Sequence, residues 1–244
     1  MLHQGTKEFD SLEGLNFNIK TKTKDVECHT NLIMPFNALN ITLAYAILDS
    51  LGEMEDSKFN QLLEEIKIPG RDEVIRYNGR TIIITITCTP HLEIIKRYKE
   101  KGKVKNIRLV TGSFGKGFNS WLEEYKEEKF TKYVEESMRW AYSYFVKNVD
   151  QIYITTNDNA YSNITELLGK QKKEVEGKTT YFLIEDRKEA IKKAIEDSER
   201  NDVIIISGRG NRSIFCKDRR NVEIYLDRSI VEEIIKKKEE DNAN

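Results

Sequence analysis

The sequence predicts an α/β fold built on a mostly parallel sheet, and two observations carry that reading. Five short apolar runs, at residues 81–87, 107–111, 152–156, 180–184 and 203–207, each stop at a small or polar turn. Longer segments with helical spacing separate them. Alternation of strand and helix produces a parallel sheet with helices on its faces. Such sheets receive ligands at the carboxyl ends of their strands. Here those ends are residues 87–91, 112–117, 157–163 and 208–212, and their chemistry is sparse.

The first 66 residues stand outside this rhythm. Residues 15–20 alternate apolar and polar side chains, and 26–30 can pair with them across the polar turn 21–25. A helix is expected over 35–51, with Pro35 in its first turn and Gly52 as its stop. Its apolar residues Leu39, Ile41, Leu43, Ala44, Ala46, Ile47 and Leu48 surround most of the circumference, which predicts burial. A second helix, 56–66, carries Phe59, Leu62, Leu63 and Ile66 on one face, and Pro69-Gly70 marks a break. Beyond it, 74–77 and 81–87 flank Asn78-Gly79, a preferred hairpin turn. Pro90 opens a helix to about Lys101. Residues 121–149 are charged and aromatic and read as one or two helices. There Trp121, Tyr125, Trp140, Tyr142 and Tyr144 are expected to fill the core or to cover a partner-facing surface. Residues 186–200 form an amphipathic helix with Asp186 as its cap and Ala190, Ile191, Ala194 and Ile195 as its buried stripe. A short hairpin at 213–216 and 222–225 precedes a last helix from Asp227, which frays into a charged tail. The chain therefore divides into residues 1–68, 69–235 and a tail at 236–244.

Composition excludes several classes. The charged fraction is 33% with a net charge of −1, and basic and acidic residues are interleaved, which argues against nucleic-acid binding. No apolar stretch approaches the ~20 residues that cross a bilayer, and the polar start, residues 1–10, is unlike a signal peptide. Cys28, Cys88 and Cys216 are scattered, as are His3, His29 and His91, so a cytoplasmic, reduced protein without a structural metal is expected. Cys88 has only His91 as a nearby base, and a buried spectator thiol is the simpler reading.

Two glycine-rich turns need a decision. Gly112-Ser-Phe-Gly-Lys-Gly117 is followed by Phe118 and Asn119 where a phosphate loop needs Lys and then Ser or Thr. Gly208-Arg209-Gly210 is no dinucleotide fingerprint, because Ser213 stands at the third glycine. Both read as tight turns after strands, with anion or polar-substrate contact through backbone N–H groups as the functional alternative.

The order of motifs resembles the C-terminal half of the Mur ligases, ATP-dependent enzymes that add amino acids to UDP-N-acetylmuramoyl peptides. The branch that attaches the third residue is the most similar. Met34-Pro-Phe-Asn-Ala-Leu-Asn40 resembles the family's FNxxN segment, and residues 69–75 resemble its GRMEVI entry into the C-terminal domain. Thr89-Pro90 stands at the end of DYAHTP, Thr156-Asn-Asp-Asn159 at TSDNPR, and Asp186-Arg-Lys-Glu-Ala-Ile191 at DRxxAI. Residues 203–211 take the place of the strand ending in GKGHE, and Leu226-Asp-Arg228 that of DDR. The match runs from about Leu15 to Ile235.

The departures matter as much. The family's P-loop, Mg²⁺-binding acids and carbamylated lysine lie upstream of the matching segment, so the chain is expected to lack them. Thr85 and Cys88 replace the Asp and His of DYAHTP, while Ala160 and Tyr161 replace the Pro and the carboxylate-gripping Arg of DNPR. Arg209, Asn211 and Arg212 replace the Lys, His and Glu of GKGHE. A tyrosine cannot supply a bidentate arginine contact.

The resemblance implies a Rossmann-like C-terminal domain preceded by a remnant of the central domain, a β-hairpin with two helices. It implies Asn37, Asn40 and Arg71 at a nucleotide and Asp158, Asn159, Gly208, Arg209, Gly210 and Asn211 at a substrate. The leading expectation is a Mur-ligase-like protein that is inactive alone and acts as a binding or scaffolding module, with no catalytic residue, no metal site and no cofactor of its own. An amino acid or peptidoglycan precursor is the implied ligand. The alternative is one subunit of a split amino-acid or amide ligase, with ATP and Mg²⁺ entering through a partner chain that brings the P-loop. A small-molecule or peptide sensor and a gene remnant without function complete the expectations.

Overall fold

Alternating side chains build the first sheet. A computed structural model describes residues 3–6, 12–52, 55–114, 127–158, 162–216 and 220–243, and the chain forms two units, Met1–Glu73 and Val74–Asn244. In the first unit β2 (Leu15–Lys20) and β3 (Asp25–Thr30) pair antiparallel, with β1 (His3–Thr6) added to the edge of β2. The expected hairpin is present; β1 was not foreseen, because its polar residues carry no apolar alternation. Leu15, Phe17 and Ile19 share one face with Val26 and Cys28. Helices α1 (Phe36–Leu51) and α2 (Asp56–Glu65) supply Ala38, Ile41, Tyr45, Phe59 and Leu63 to the same core. The Tyr45 hydroxyl donates to Asp56 at 2.9 Å, and Lys24 donates to the other carboxylate oxygen at 2.6 Å.

The expectation of a buried α1 is overturned. Leu39, Leu43, Ile47 and Leu51 are exposed, at 60%, 64%, 53% and 65%. Leu62 and Ile66, expected on the buried face of the second helix, are exposed too. Apolar count alone misled, since burial depends on what covers each face.

The second unit holds a six-stranded sheet in the order β4-β5-β9-β6-β7-β8. Its strands are β4 (Glu73–Tyr77), β5 (Arg80–Thr85), β6 (Ile107–Phe114), β7 (Gln151–Asp158), β8 (Thr180–Leu183) and β9 (Val203–Ser207). All five apolar runs are strands of this sheet, and β5, β9, β6, β7 and β8 run parallel. The turn between β4 and β5 has both Asn78 and Gly79 at positive φ, 45° and 76°, as a two-residue hairpin of this kind requires.

Among the described residues five helices flank the sheet: α3 (Thr89–Glu100), α4 (Glu127–Asn148), α5 (Ile164–Val175), α6 (Arg187–Glu196) and α7 (Asp227–Ala243). A small hairpin, β10 (Ile214–Cys216) and β11 (Val222–Ile224), precedes α7. The Asp186 side chain caps α6 by accepting the Glu189 N–H at 3.0 Å, and Ala190, Ile191, Ala194 and Ile195 are buried as the pattern predicted. Asn163 caps α5 in the same way, from Glu166 N–H at 3.1 Å. One expectation needs correction. The tail at 236–244 does not fray at Lys236; α7 continues to Ala243. Of the aromatic residues in α4, Tyr142 enters the core while Trp140 is exposed; Trp121 and Tyr125 lie outside the described residues.

Candidate functional site

The carboxyl ends of β7 and β9 meet the starts of α6 and α7 around two buried arginines. Arg187, the first residue of α6, is held by five acceptors. Its Nε and Nη2 reach the two carboxylate oxygens of Asp227 at 2.9 and 2.8 Å. Its Nη1 donates to Asn157 Oδ1 at 2.7 Å and to the Thr156 carbonyl at 3.4 Å, and Nη2 also reaches the Ser207 carbonyl at 3.1 Å. A guanidinium has five N–H donors, so all of Arg187 is spent inside the protein. Asp227 opens α7, its carboxylate binds this arginine, and both side chains are fully buried.

Arg209 adds a second cation. Its Nη1 donates to the Asn157 carbonyl and its Nη2 to the Arg212 carbonyl, each at 2.9 Å. The guanidinium carbon lies 4.8 Å from the Phe215 ring centroid and 4.7 Å from that of Tyr225, so the hairpin β10–β11 and its exit clasp it by cation–π contact. Asp227 stands 3.8 Å from its Nε, so one carboxylate serves two arginines. Burial pulls the Arg209 guanidinium below its ordinary value, against the pull of Tyr225 and Asp227, with Arg187 adding to the fall.

Asn157 is the knot of this arrangement. Its Nδ2 donates to the Gly112 carbonyl at 2.5 Å, its Oδ1 accepts from Arg187, and its backbone carbonyl accepts from Arg209. Gly208 passes it at φ 111°, and a Cβ there would stand 2.3 Å from Asn157 Nδ2. Gly112 is equally pressed, 2.1 Å from the Thr155 carbonyl oxygen at its Cβ position. It belongs to strand β6, so the turn read at 112–117 starts later than the sequence suggested; residues 115–117 lie outside the described residues.

The residues inferred for a substrate are thus placed unequally. Asp158 ends β7, and Gly208, Arg209 and Gly210 follow β9, all in one neighbourhood. Asn211 is exposed beside them, and Asn159 lies outside the described residues. Those inferred for a nucleotide belong to the first unit. Asn37 is buried and its Nδ2 donates to the Ile33 carbonyl at 2.7 Å. Asn40 Nδ2 donates to Asn37 Oδ1 at 3.4 Å, while Arg71 is exposed in the turn before β4. Of the three, only the Arg71 side chain is turned to solvent without a hydrogen bond.

Asn157, Arg187 and Asp227 were not singled out as site residues by sequence. Their signal was available: an Asp-Arg pair stands at each of two helix starts. Cys88 begins α3 from a buried position, and burial pushes its thiol up to about 11, which removes it as a nucleophile at neutral pH. A cavity of about 170 Å³ opens between the start of α6 and the small hairpin, lined by Thr156, Glu185, Lys188, Phe215, Glu223 and Tyr225 among others. Lys188 occupies its wall, 3.3 Å from Glu223 and 4.8 Å from the Tyr225 ring centroid.

No protein-family model matches the sequence. Among curated proteins, the UDP-N-acetylmuramoyl-L-alanyl-D-glutamate--2,6-diaminopimelate ligase of Halalkalibacterium halodurans is 26% identical over 229 residues, which are 92% of this chain and 43% of that protein. The enzyme of the same name from Aquifex aeolicus is 28% identical over 227 residues, 91% of this chain and 42% of its own. A solved structure of a ligase with this name superposes with a TM-score of 0.60 at 19% identity, over 94% of this chain and 44% of that one. The chain spans little more than two-fifths of the length of these curated relatives.

Proposed function

Taking the chain as what its homologues make it, a protein like the C-terminal half of a Mur ligase, we propose that it is a non-catalytic binding or scaffolding module of cytoplasmic cell-wall precursor synthesis. One observation carries the reading: the charged groups at the strand ends are buried against one another, and the Arg209 Nε, which makes no hydrogen bond, is itself sealed from solvent. Arg187 has no donor left, Arg209 is packed between two rings, and Asp227 is shared by both. A group that is to grip a substrate carboxylate must present free donors to it.

The phosphoryl chemistry points the same way. Acyl-phosphate formation requires a γ-phosphate and Mg²⁺ held in line with the acceptor. Neither glycine-rich turn of these 244 residues has the Lys-Ser/Thr pair of a phosphate loop. Asn37 and Asn40 spend their amides on local hydrogen bonds, which leaves Arg71 as the one group of the three ready for a phosphate. ATP and Mg²⁺ would therefore enter only with a segment or partner outside these residues that carries the phosphate loop.

The purified chain, given ATP, Mg²⁺ and a UDP-muramoyl dipeptide, is expected to release no phosphate above buffer. Mg²⁺-dependent release that co-purifies with the chain through two columns would overturn the proposal. Calorimetry with diaminopimelate is expected to show no micromolar binding, since Tyr161 and Arg212 stand where the family uses an arginine and a glutamate.

A further inference from the structure

The cavity between the start of α6 and the small hairpin has the chemistry of a cation site. Phe215 and Tyr225 give it aromatic walls, and Ile164 at the start of α5 adds apolar surface. Glu185, Asp186 and Glu223 bring three carboxylates to it, against the single amine of Lys188. Arg187 also lines the cavity, but its donors are spent inside the protein and Asp227 balances its charge. Glu185 is paired with no cation among the described residues. An anion finds little here, because the two helix starts that could attract one are already capped, by Asn163 and by the Asp186 carboxylate.

Lys188 shows how the cavity receives an ammonium. Its Nζ lies 3.3 Å from Glu223 and 4.8 Å from the Tyr225 ring centroid. A carboxylate beside an aromatic face is the pairing that recognises an organic cation. Burial pushes the Tyr225 phenol up to about 12, so the ring is neutral at physiological pH. The Lys188 side chain is 50% exposed, and an ion pair this open to water is weakly held. A second cation can therefore take its seat at small cost.

We propose that this cavity binds a small organic cation, a primary ammonium on an apolar stem, and that Lys188 is the tethered stand-in which the ligand displaces. At the ~30 Å³ that a water takes in the liquid, a cavity of about 170 Å³ holds roughly six non-hydrogen atoms. That is a stem of about four or five carbons with its nitrogen. A ligand of so few atoms binds at about millimolar concentration. The inference goes beyond the proposed function, and it stands whether or not Asp158 and Gly208 contact a precursor.

Amide chemical shifts of the full ¹⁵N-labelled chain, followed during titration with butylammonium to about 20 mM, test it. Saturating changes should centre on Lys188, Glu223 and Tyr225. Butanol, with the same stem and no charge, should bind roughly tenfold more weakly, and butyrate should not bind. Lys188→Met should tighten butylammonium binding roughly threefold, because the competing amine is gone, and Glu223→Gln should weaken it by as much. Both side chains are partly open to solvent, so neither change disturbs the core. Lys96→Met, the same change of charge on an exposed position of α3, should leave the affinity as it is. The sign at Lys188 separates a displaced stand-in from a lysine that only holds the hairpin, whose loss would loosen the site. Shifts that spread over the acidic surface without saturating overturn the proposal. So do butanol that binds as well as the amine, and a Lys188→Met variant that binds no more tightly than the wild type.

Discussion

Asp227 holds two buried arginines, and its energetic role follows from that count. Arg187 takes both its carboxylate oxygens and Arg209 stands 3.8 Å from one of them. Removing one partner of a buried pair leaves an uncompensated charge and costs about 3–5 kcal/mol. Asp227→Ala leaves two such cations, so it should fall at or above that range in urea denaturation of the purified protein. The double change Arg187→Met with Asp227→Leu should cost less than the single one, because well-packed apolar pairs replace buried ion pairs at little loss. A single variant that unfolds at the wild-type midpoint would show that the pair is not sealed from water. The same residues show what the sequence could tell about the site. Gly208 and Arg209 were legible as a strand-end turn; that the arginine would point inward was not. Its direction is set by Phe215 and Tyr225 at the hairpin that follows and by Asn157, 52 positions upstream, and no local pattern encodes their meeting.

At the scale of single elements, helix α6 is the case where local rules sufficed. Asp186 accepts the Glu189 N–H, and its stripe of Ala190, Ile191, Ala194 and Ile195 is fully buried. Asp186→Ala should therefore cost about 1 kcal/mol, the usual worth of a side-chain cap, while Asp186→Ser should cost a few tenths. Equal losses from the two would place the effect in the nearby charges rather than in the cap. The strands of the large sheet were legible for a related reason: parallel strands buried on both faces read as unbroken apolar runs. Helix α1 was legible as a helix but not as a surface. Its sequence is apolar nearly all round, and the exposed side can be told from the buried side only by knowing what packs there. Strand β1 failed in the opposite way, since an edge strand of polar residues is defined by its backbone pairing to β2 and by nothing in its side chains.

The second unit as a whole is closed by its most distant strand. β9 lies between β5 and β6, pairing Thr81 with Val203 on one side and Ile107 with Val203 on the other. The first of these joins residues roughly 120 positions apart, a non-local pairing whose loop entropy is met before any contact rewards it. The base of β9 is pinned by Asp202, which accepts from Arg108 Nε at 2.9 Å, from Asn106 Nδ2 at 2.9 Å and from the Glu199 N–H at 3.0 Å. Without β9 the sheet is two fragments, β4-β5 and β6-β7-β8, each with an apolar edge and no cover from the core residues Ile204 and Ile206. Deleting residues 203–244 is therefore predicted to abolish the cooperative urea transition and the near-ultraviolet dichroism while leaving much helical signal, the signature of a collapsed but unpacked chain. Deleting 237–244 alone removes the end of α7, exposed at Lys237, Glu239, Glu240 and Asp241, and should shift stability by no more than about 0.5 kcal/mol. If the long deletion keeps a sharp transition, the sheet halves are stable by themselves and β9 is an addition to them; if it loses that transition while the short one does not, β9 and the segment that follows it, Asp227 included, are what make the unit fold as one.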